Sequence, residues 1–216
     1  MRTIFTTGNS RSQRLMVRGG LLVAGVLAVG ALAGLADRAS ANDASASGAM
    51  STAALRAVWD SMGAVRGALT VTEMELDRAK AIIAYSSTYQ IPADLSGAIY
   101  DIALSEGINP AIGFRLVQIE SGFDAKAKSR VGAIGYTQIM PATARFYMPN
   151  VEETYLYDRD VNLRIGFRFL RELMERFDDN LHYALLAYNR GPSRVRGILA
   201  EGGNPANGYA ERVIGK

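Results

Sequence analysis

Apolar side chains recur at steps of three and four residues along most of the chain from residue 55 onward, the spacing that places them on one side of an α-helix. Leu163, Phe167, Leu170, Met174 and Phe177 give the strongest stripe and predict an amphipathic helix. Two weaker patterns come first. Leu55, Val58, Trp59, Met62, Val65 and Leu69 mark one, and Val71, Met74, Ile82 and Tyr85 mark the other. Together they predict a helical hairpin or a lead-in helix. From Pro92 the punctuation sharpens. Asp94 is placed to cap a helix through Leu95, Ile99 and Ile102 that Gly107 ends, and Asn109-Pro110 supplies a cap with proline at the first helical position. The next helix runs "PAIGFRLVQIES" into Gly122. Residues 121–140 then lose the helical period and carry three glycines, which predicts irregular chain or a small β-hairpin. "MPATARFYM" reads as a short helix, "NLHYALLAYNRG" as one capped by Asn180 and stopped by Gly191-Pro192, and two shorter helices near 193–200 and 206–214 complete the pattern. The fold class is therefore mainly α, with one glycine-rich excursion.

The first 41 residues follow a different rule. A basic stretch without acidic residues precedes an uncharged apolar run from Gly19 to Ala36, and Ala39-Ser40-Ala41 offers a small-residue cleavage pattern. This reads as a signal peptide or, given the length of the run, an N-terminal membrane anchor. This segment, with five arginines and one aspartate, carries +4, more than the whole formal net charge of +3. The remainder is nearly balanced, so no nucleic-acid partner is implied. "NDASASGAM" reads as a linker, which gives an organisation of 1–41 leader or anchor, 42–92 linker and helical extension, and 93–216 principal domain.

With no cysteine, a disulfide scaffold and a thiolate metal site are excluded, and the single His182 is too little for a histidine-rich metal centre. No cofactor and no metal are expected. Chemistry then falls to carboxylates, hydroxyls and amides. Glu120 stands out because it follows Leu116 and Val117 by four and three residues, on the apolar side of its helix and at its C-terminal end. Desolvation and the negative end of the helix dipole both disfavour the anion there. Such a carboxyl can remain protonated near neutrality and donate to a leaving oxygen, as glycosidases require. A structural Glu pairing at a helix end would satisfy the same pattern.

The residues around Glu120 add a resemblance. "ESGFDAKAKSRVGAIGYTQIMPATA" with "LLAYNRGPSRV" downstream resembles the soluble (Slt-type) lytic transglycosylases, whose catalytic domain is lysozyme-like. The similarity runs from near Asp94 to the C-terminus. The family's Glu-Ser pair corresponds to Glu120-Ser121, and its Ala-Tyr-Asn motif to Ala187-Tyr188-Asn189. An Asp-x-x-x-Asn-x-x-x-Gly helix is matched by Asp158, Asn162 and Gly166, and a Tyr-Ala-x-x-Val pattern by Tyr209 to Val213. The family's Gly-Leu-Met-Gln reads here Gly135-Tyr136-Thr137-Gln138, a departure at two positions in a loop that lines the family's glycan groove.

The resemblance implies an α+β lysozyme-like fold and a lytic transglycosylase acting on peptidoglycan in the periplasm, with membrane attachment only if the leader is retained. It implies Glu120 as the catalytic acid and then base. Ser121, Tyr136, Gln138, Tyr188, Asn189 and Tyr209 are implied as substrate-binding residues, with Tyr188 as the hydrogen-bond partner of Glu120; for Ser121 the alternative is helping to end its helix, and for Tyr209 packing the last helix. Gly132 and Gly135 are expected to keep backbone close to the glycan. A muramidase using water on the same fold and a non-catalytic glycan-binding or assembly protein are the alternatives. Family habit also suggests an envelope secretion or flagellar assembly partner.

Overall fold

The computed structural model describes residues 52–215, so the expected leader and most of the linker lie outside the described residues. It is mainly α-helical, as the pattern predicts. Helix α1 spans Thr52–Tyr89, α2 Ala93–Ser105, α3 Pro110–Ser121 and α4 Pro141–Tyr147. A 3-10 turn at Glu153–Tyr157 leads into α5, Arg159–Arg176, followed by α6 Leu181–Arg190, α7 Pro192–Ala200 and α8 Tyr209–Ile214. Among the described residues no helix is long and apolar enough to cross a membrane.

The two leading patterns form one helix and not a hairpin. No proline interrupts 52–89, and the hydroxyls of Thr70 and Thr72, which could favour a turn, donate back to the Arg66 and Ala68 carbonyls at 3.0 Å each. The chain divides between Glu75 and Leu76 into two compact units, so α1 contributes to both. In the first unit Trp59, Met62, Val65 and Leu69 are exposed. In the second, Tyr85 and Tyr89 stack on the fully buried Phe114 of α3, with ring centroids 4.1 and 5.4 Å away.

Within this second unit α5 packs on α2 and α6, α6 packs on α7 and α8, and α8 closes on α3. The main core joins Ile99 and Ala103 of α2, Phe114, Leu116 and Val117 of α3, Leu163, Phe167 and Leu170 of α5, and Leu185 and Leu186 of α6. A smaller cluster of Ile134, Ile139, Ala144, Leu156 and Ile165 underlies the glycine-rich excursion. Two caps occur as expected: Asn109 accepts from Ala111 N–H at 2.9 Å and Asn180 from Tyr183 N–H at 3.1 Å. Asp94 does not cap α2, which starts from Pro92 without a side-chain cap, and its carboxylate instead meets Arg159 Nη1 at 3.2 Å. Glu106, at the other end of α2 and mostly buried, receives a forked pair from Arg168 at 3.0 Å and a third bond from Arg164 at 3.1 Å.

The excursion forms two isolated antiparallel bridges, Lys128 with Ile134 and Ile134 with Ile139, so the expected irregular or hairpin segment is a tight turn at residues 134–139. What holds it is a helix face. Along α5 and its cap, Asp158, Asn162 and Gly166 step by four. Asp158 caps the helix through Val161 N–H at 3.0 Å. Asn162, fully buried, accepts from the Thr137 N–H and hydroxyl at 2.8 Å each and donates to the Ile134 and Leu156 carbonyls at 2.9 and 2.8 Å. All four positions of the amide are thereby used. Gly135, at φ +75°, passes so close that a Cβ would meet Asn162 Nδ2 at 2.3 Å and the Leu156 carbonyl at 2.6 Å. At Gly166 a Cβ would meet the Thr137 side chain at 2.3–2.7 Å.

This contact separates two helical glycines. Gly166→Ala forces Thr137 out of its place and lowers stability by about 1–3 kcal/mol. Gly197→Ala in α7, with nothing within 4 Å of the new Cβ, raises it by roughly 0.5–1 kcal/mol through helix propensity. Urea denaturation of both variants checks the opposite signs.

Candidate active site

Helix α3 delivers Glu120 on the flank of its buried face, and Gly122 ends the helix in the left-handed region at φ +61°. The carboxyl is half-buried, and Tyr209 Oη donates to Glu120 Oε1. Helix α8, which carries Tyr209, is bound to α3 a second time where Arg115 Nη1 donates to the Ile214 carbonyl. It is bound to α6 through His182 Nε2 and Glu211 Oε1, 3.0 Å apart. The helix bearing the donor that faces Glu120 is thus tied at its middle and at its C-terminal end.

Burial holds the Glu120 carboxyl above the ordinary carboxylate range. The Tyr209 hydrogen bond and the positive charge of Arg212 oppose this without cancelling it. Arg212, exposed, sits with its guanidinium carbon 5.9 Å from the Tyr209 ring centroid. Tyr209 is itself pushed up by burial and by the Glu120 charge, so it remains a donor throughout the neutral range. Arg212 is the charged side chain whose field opposes the rise at Glu120. Asp124 is exposed and spends Oδ1 on the Lys126 N–H at 2.8 Å, a loop role.

Tyr188 does not bond Glu120. Its hydroxyl donates to the Thr137 carbonyl at 2.8 Å while its ring packs on Phe169, and burial followed by the Glu120 charge raises its pKa well above that of an ordinary tyrosine. The partner expected of Tyr188 is supplied by Tyr209, because α8 and not α6 closes over the end of α3. Ser121 Oγ lies 3.1 Å from the Val117 carbonyl and 2.8 Å from the Tyr136 carbonyl, and so ties the helix end to the turn.

Gln138, at φ +49°, donates through Nε2 to the Ala127 and Gly135 carbonyls at 3.2 and 3.0 Å. Asn189 is exposed and accepts at Oδ1 from Asn207 Nδ2 at 2.9 Å. The two substituted loop positions part company. Tyr136 is half-buried, with burial raising its pKa, whereas Thr137 is fully buried beneath the turn and cannot line a groove. Gly135 likewise admits backbone close to Asn162 and Leu156, not close to an external ligand, and Gly132 has open space around it.

Sequence reasoning missed Asn207 and Arg212. Asn207 is legible afterwards as an asparagine two residues before a helix start, whereas Arg212 had no signal beyond its charge. Two surface hollows, one lined by Tyr147, Met148, Arg164 and Arg168 and the other by Arg78, Gly97, Asp101 and Arg159, include neither Glu120 nor Gln138 nor Asn189.

Residues 98–207 match the family model described as Transglycosylase SLT domain, just over half of the chain. The chain belongs to the SLT-domain family. Its relatives include the soluble lytic murein transglycosylase of Salmonella typhimurium, 36% identical over 95 residues that make up 41% of this chain and 15% of the relative. The soluble lytic murein transglycosylase of Escherichia coli K12 is 40% identical over 83 residues, 36% of this chain and 13% of that one. The transglycosylase of Enterobacteria phage PRD1 is 37% identical over 88 residues, 41% of this chain and 31% of that one. The matched region is therefore a small part of each relative. Among solved structures, the complex of the 70-kDa soluble lytic transglycosylase with bulgecin A covers 63% of this SLT-domain chain and 28% of its own, at 24% identity and a TM-score of 0.50, which supports the lysozyme-like fold.

The raised Glu120 carboxyl makes stability depend on pH. Its contribution is fully present below the unfolded value of about 4.3 and is lost as pH rises through the higher folded value. Glu120→Gln should consequently gain stability over the parent at pH 8, with the gain disappearing near pH 4, in urea denaturation at both pH values. An equal difference at the two would remove the raised carboxyl.

Proposed function

We propose that this chain is a peptidoglycan lytic transglycosylase that cleaves the β-1,4 bond between N-acetylmuramic acid and N-acetylglucosamine and leaves a 1,6-anhydromuramyl end. The observation that carries the reading is a single half-buried carboxyl at the end of a helix, Glu120, bonded by the Tyr209 hydroxyl, and burial there favours its protonated form. Glu120 in its protonated form gives its proton to the bridging oxygen as the glycosidic bond breaks. The N-acetyl group of the substrate stabilises the positive anomeric carbon. The Glu120 carboxylate then takes the proton of the muramic C6 hydroxyl, whose oxygen closes on the anomeric carbon. One group thus serves as acid and then base, and no water is consumed.

The Tyr209 hydroxyl and Arg212 stabilise the carboxylate between the two proton transfers, when the charge exists. Gln138, Asn189 and Tyr136 are the proposed glycan contacts, while Ser121 and Tyr188 act on the turn that presents Gln138. Residues 93–216 form the proposed transglycosylase domain and 42–92 an extension. Residues 1–41 are a proposed signal or anchor that delivers the enzyme to the periplasm, where this substrate lies.

Digestion of purified peptidoglycan by the chain lacking residues 1–41, followed by mass spectrometry, tests the reaction. Anhydromuramyl products are expected, with turnover lowered by roughly 10²–10⁴-fold in Glu120→Gln. Products heavier by one water would instead establish a hydrolase. The pH profile tests the acid. Glu120 must hold its proton at the first step, so kcat/KM falls as it ionises. Tyr209→Phe removes a bond that lowers its pKa, and the descending limb should move to higher pH. A limb that stays in place or moves down counts against Glu120 as the titrating acid.

A further inference from the structure

Two side-chain amides, of Gln138 and Asn189, each have only one half engaged by the protein. Gln138 Nε2 faces two carbonyl oxygens, of Ala127 and Gly135, so the engaged atom must be the nitrogen. Its Oε1 makes no hydrogen bond among the described residues. The turn bearing Gln138 is tied to the helix of Glu120 by the bond from Ser121 to the Tyr136 carbonyl.

The orientation of Asn189 is decided by a relay. The Tyr209 backbone N–H can only donate, and it lies 3.2 Å from Asn207 Oδ1. The remaining polar atom of Asn207 is therefore Nδ2, a donor, and it faces Asn189 at 2.9 Å. The receiving atom of Asn189 must be Oδ1, so its NH2 group is left for the exposed side. The residue that starts the relay also supplies, from the far end of its side chain, the hydroxyl bound to Glu120, so one tyrosine anchors both.

We propose that Asn207 is a positioning residue that locks Asn189 with its NH2 outward, so that Asn189 offers a donor and Gln138 an acceptor to the acetamido groups of an N-acetylated glycan. The inference rests on the glycan reading of this site. An acetamido group carries one C=O and one N–H, and it needs one partner of each sense. A de-N-acetylated sugar presents an ammonium group, which has no acceptor to offer Asn189. The relay therefore makes the site selective for acetylation as well as for sugar.

Titration of a chitin oligosaccharide and of its fully de-N-acetylated counterpart into the non-turning Glu120→Gln protein tests this. Asn207→Asp, added to that background, still accepts from the Tyr209 N–H but cannot donate to Asn189, which must turn its NH2 inward. The Kd for the acetylated oligomer should rise by roughly five- to tenfold, the effect of one hydrogen bond. The Kd for the de-N-acetylated oligomer should fall and the thermal midpoint should hold. Asn189→Asp, on an exposed side chain, still accepts from Asn207 and loses only the outward NH2, and it should show the same loss for the acetylated oligomer. Unchanged binding in either variant overturns the inference, as does an equal loss for both oligomers accompanied by a lower thermal midpoint. A Glu120→Gln parent that binds neither oligomer overturns the glycan reading itself, and the inference with it.

Discussion

The buried amide of Asn162 is the interaction on which the arrangement of the site depends. An unpaired amide in that position would carry a desolvation penalty of about 1–3 kcal/mol for each polar group left without a partner. Here every donor and acceptor of the side chain is used, and the four partners come from the turn and from the 3-10 segment before α5. A stretch of chain with only single bridges for β-structure thereby acquires one conformation. Gly135 and Gly166 follow from the same contact, since the first lets backbone reach the amide and the second leaves room for Thr137 beside it.

In the proposed reaction the electrostatics of Glu120 balance two opposed demands. A general acid must keep its proton at working pH, which burial favours, yet it must also exist as an anion before it acts as base. Tyr209 and Arg212 serve the second demand without undoing the first, because the net displacement remains upward. A carboxylate close by would push the value further up, whereas the charge that acts here, that of Arg212, works in the opposite sense.

Thr137 explains why the altered loop is compatible with the rest. Its hydroxyl and backbone both bond to Asn162, so a polar residue at this buried position is satisfied and not merely tolerated. Tyr136 is the substituted side chain left partly accessible, whereas Thr137 is spent on the interior.

The helices, their caps at Asn109 and Asn180, and the candidacy of Glu120 were legible in the sequence, because they depend on residues a few positions apart along one element. The motifs also brought Gln138, Tyr188 and Asn189 to attention together. Which tyrosine meets Glu120 was not legible, since Glu120 and Tyr209 lie on helices brought together only when α8 closes on α3. For the same reason the inward course of Thr137, the relay from Tyr209 through Asn207 to Asn189, and the pairing of Asp94 with Arg159 had no local signature. Sequence periodicity determines what each helix buries. Only tertiary structure decides which polar groups are left to find one another, because a hydrogen bond requires positions correct to a few tenths of an ångström between segments that the pattern of one segment cannot align.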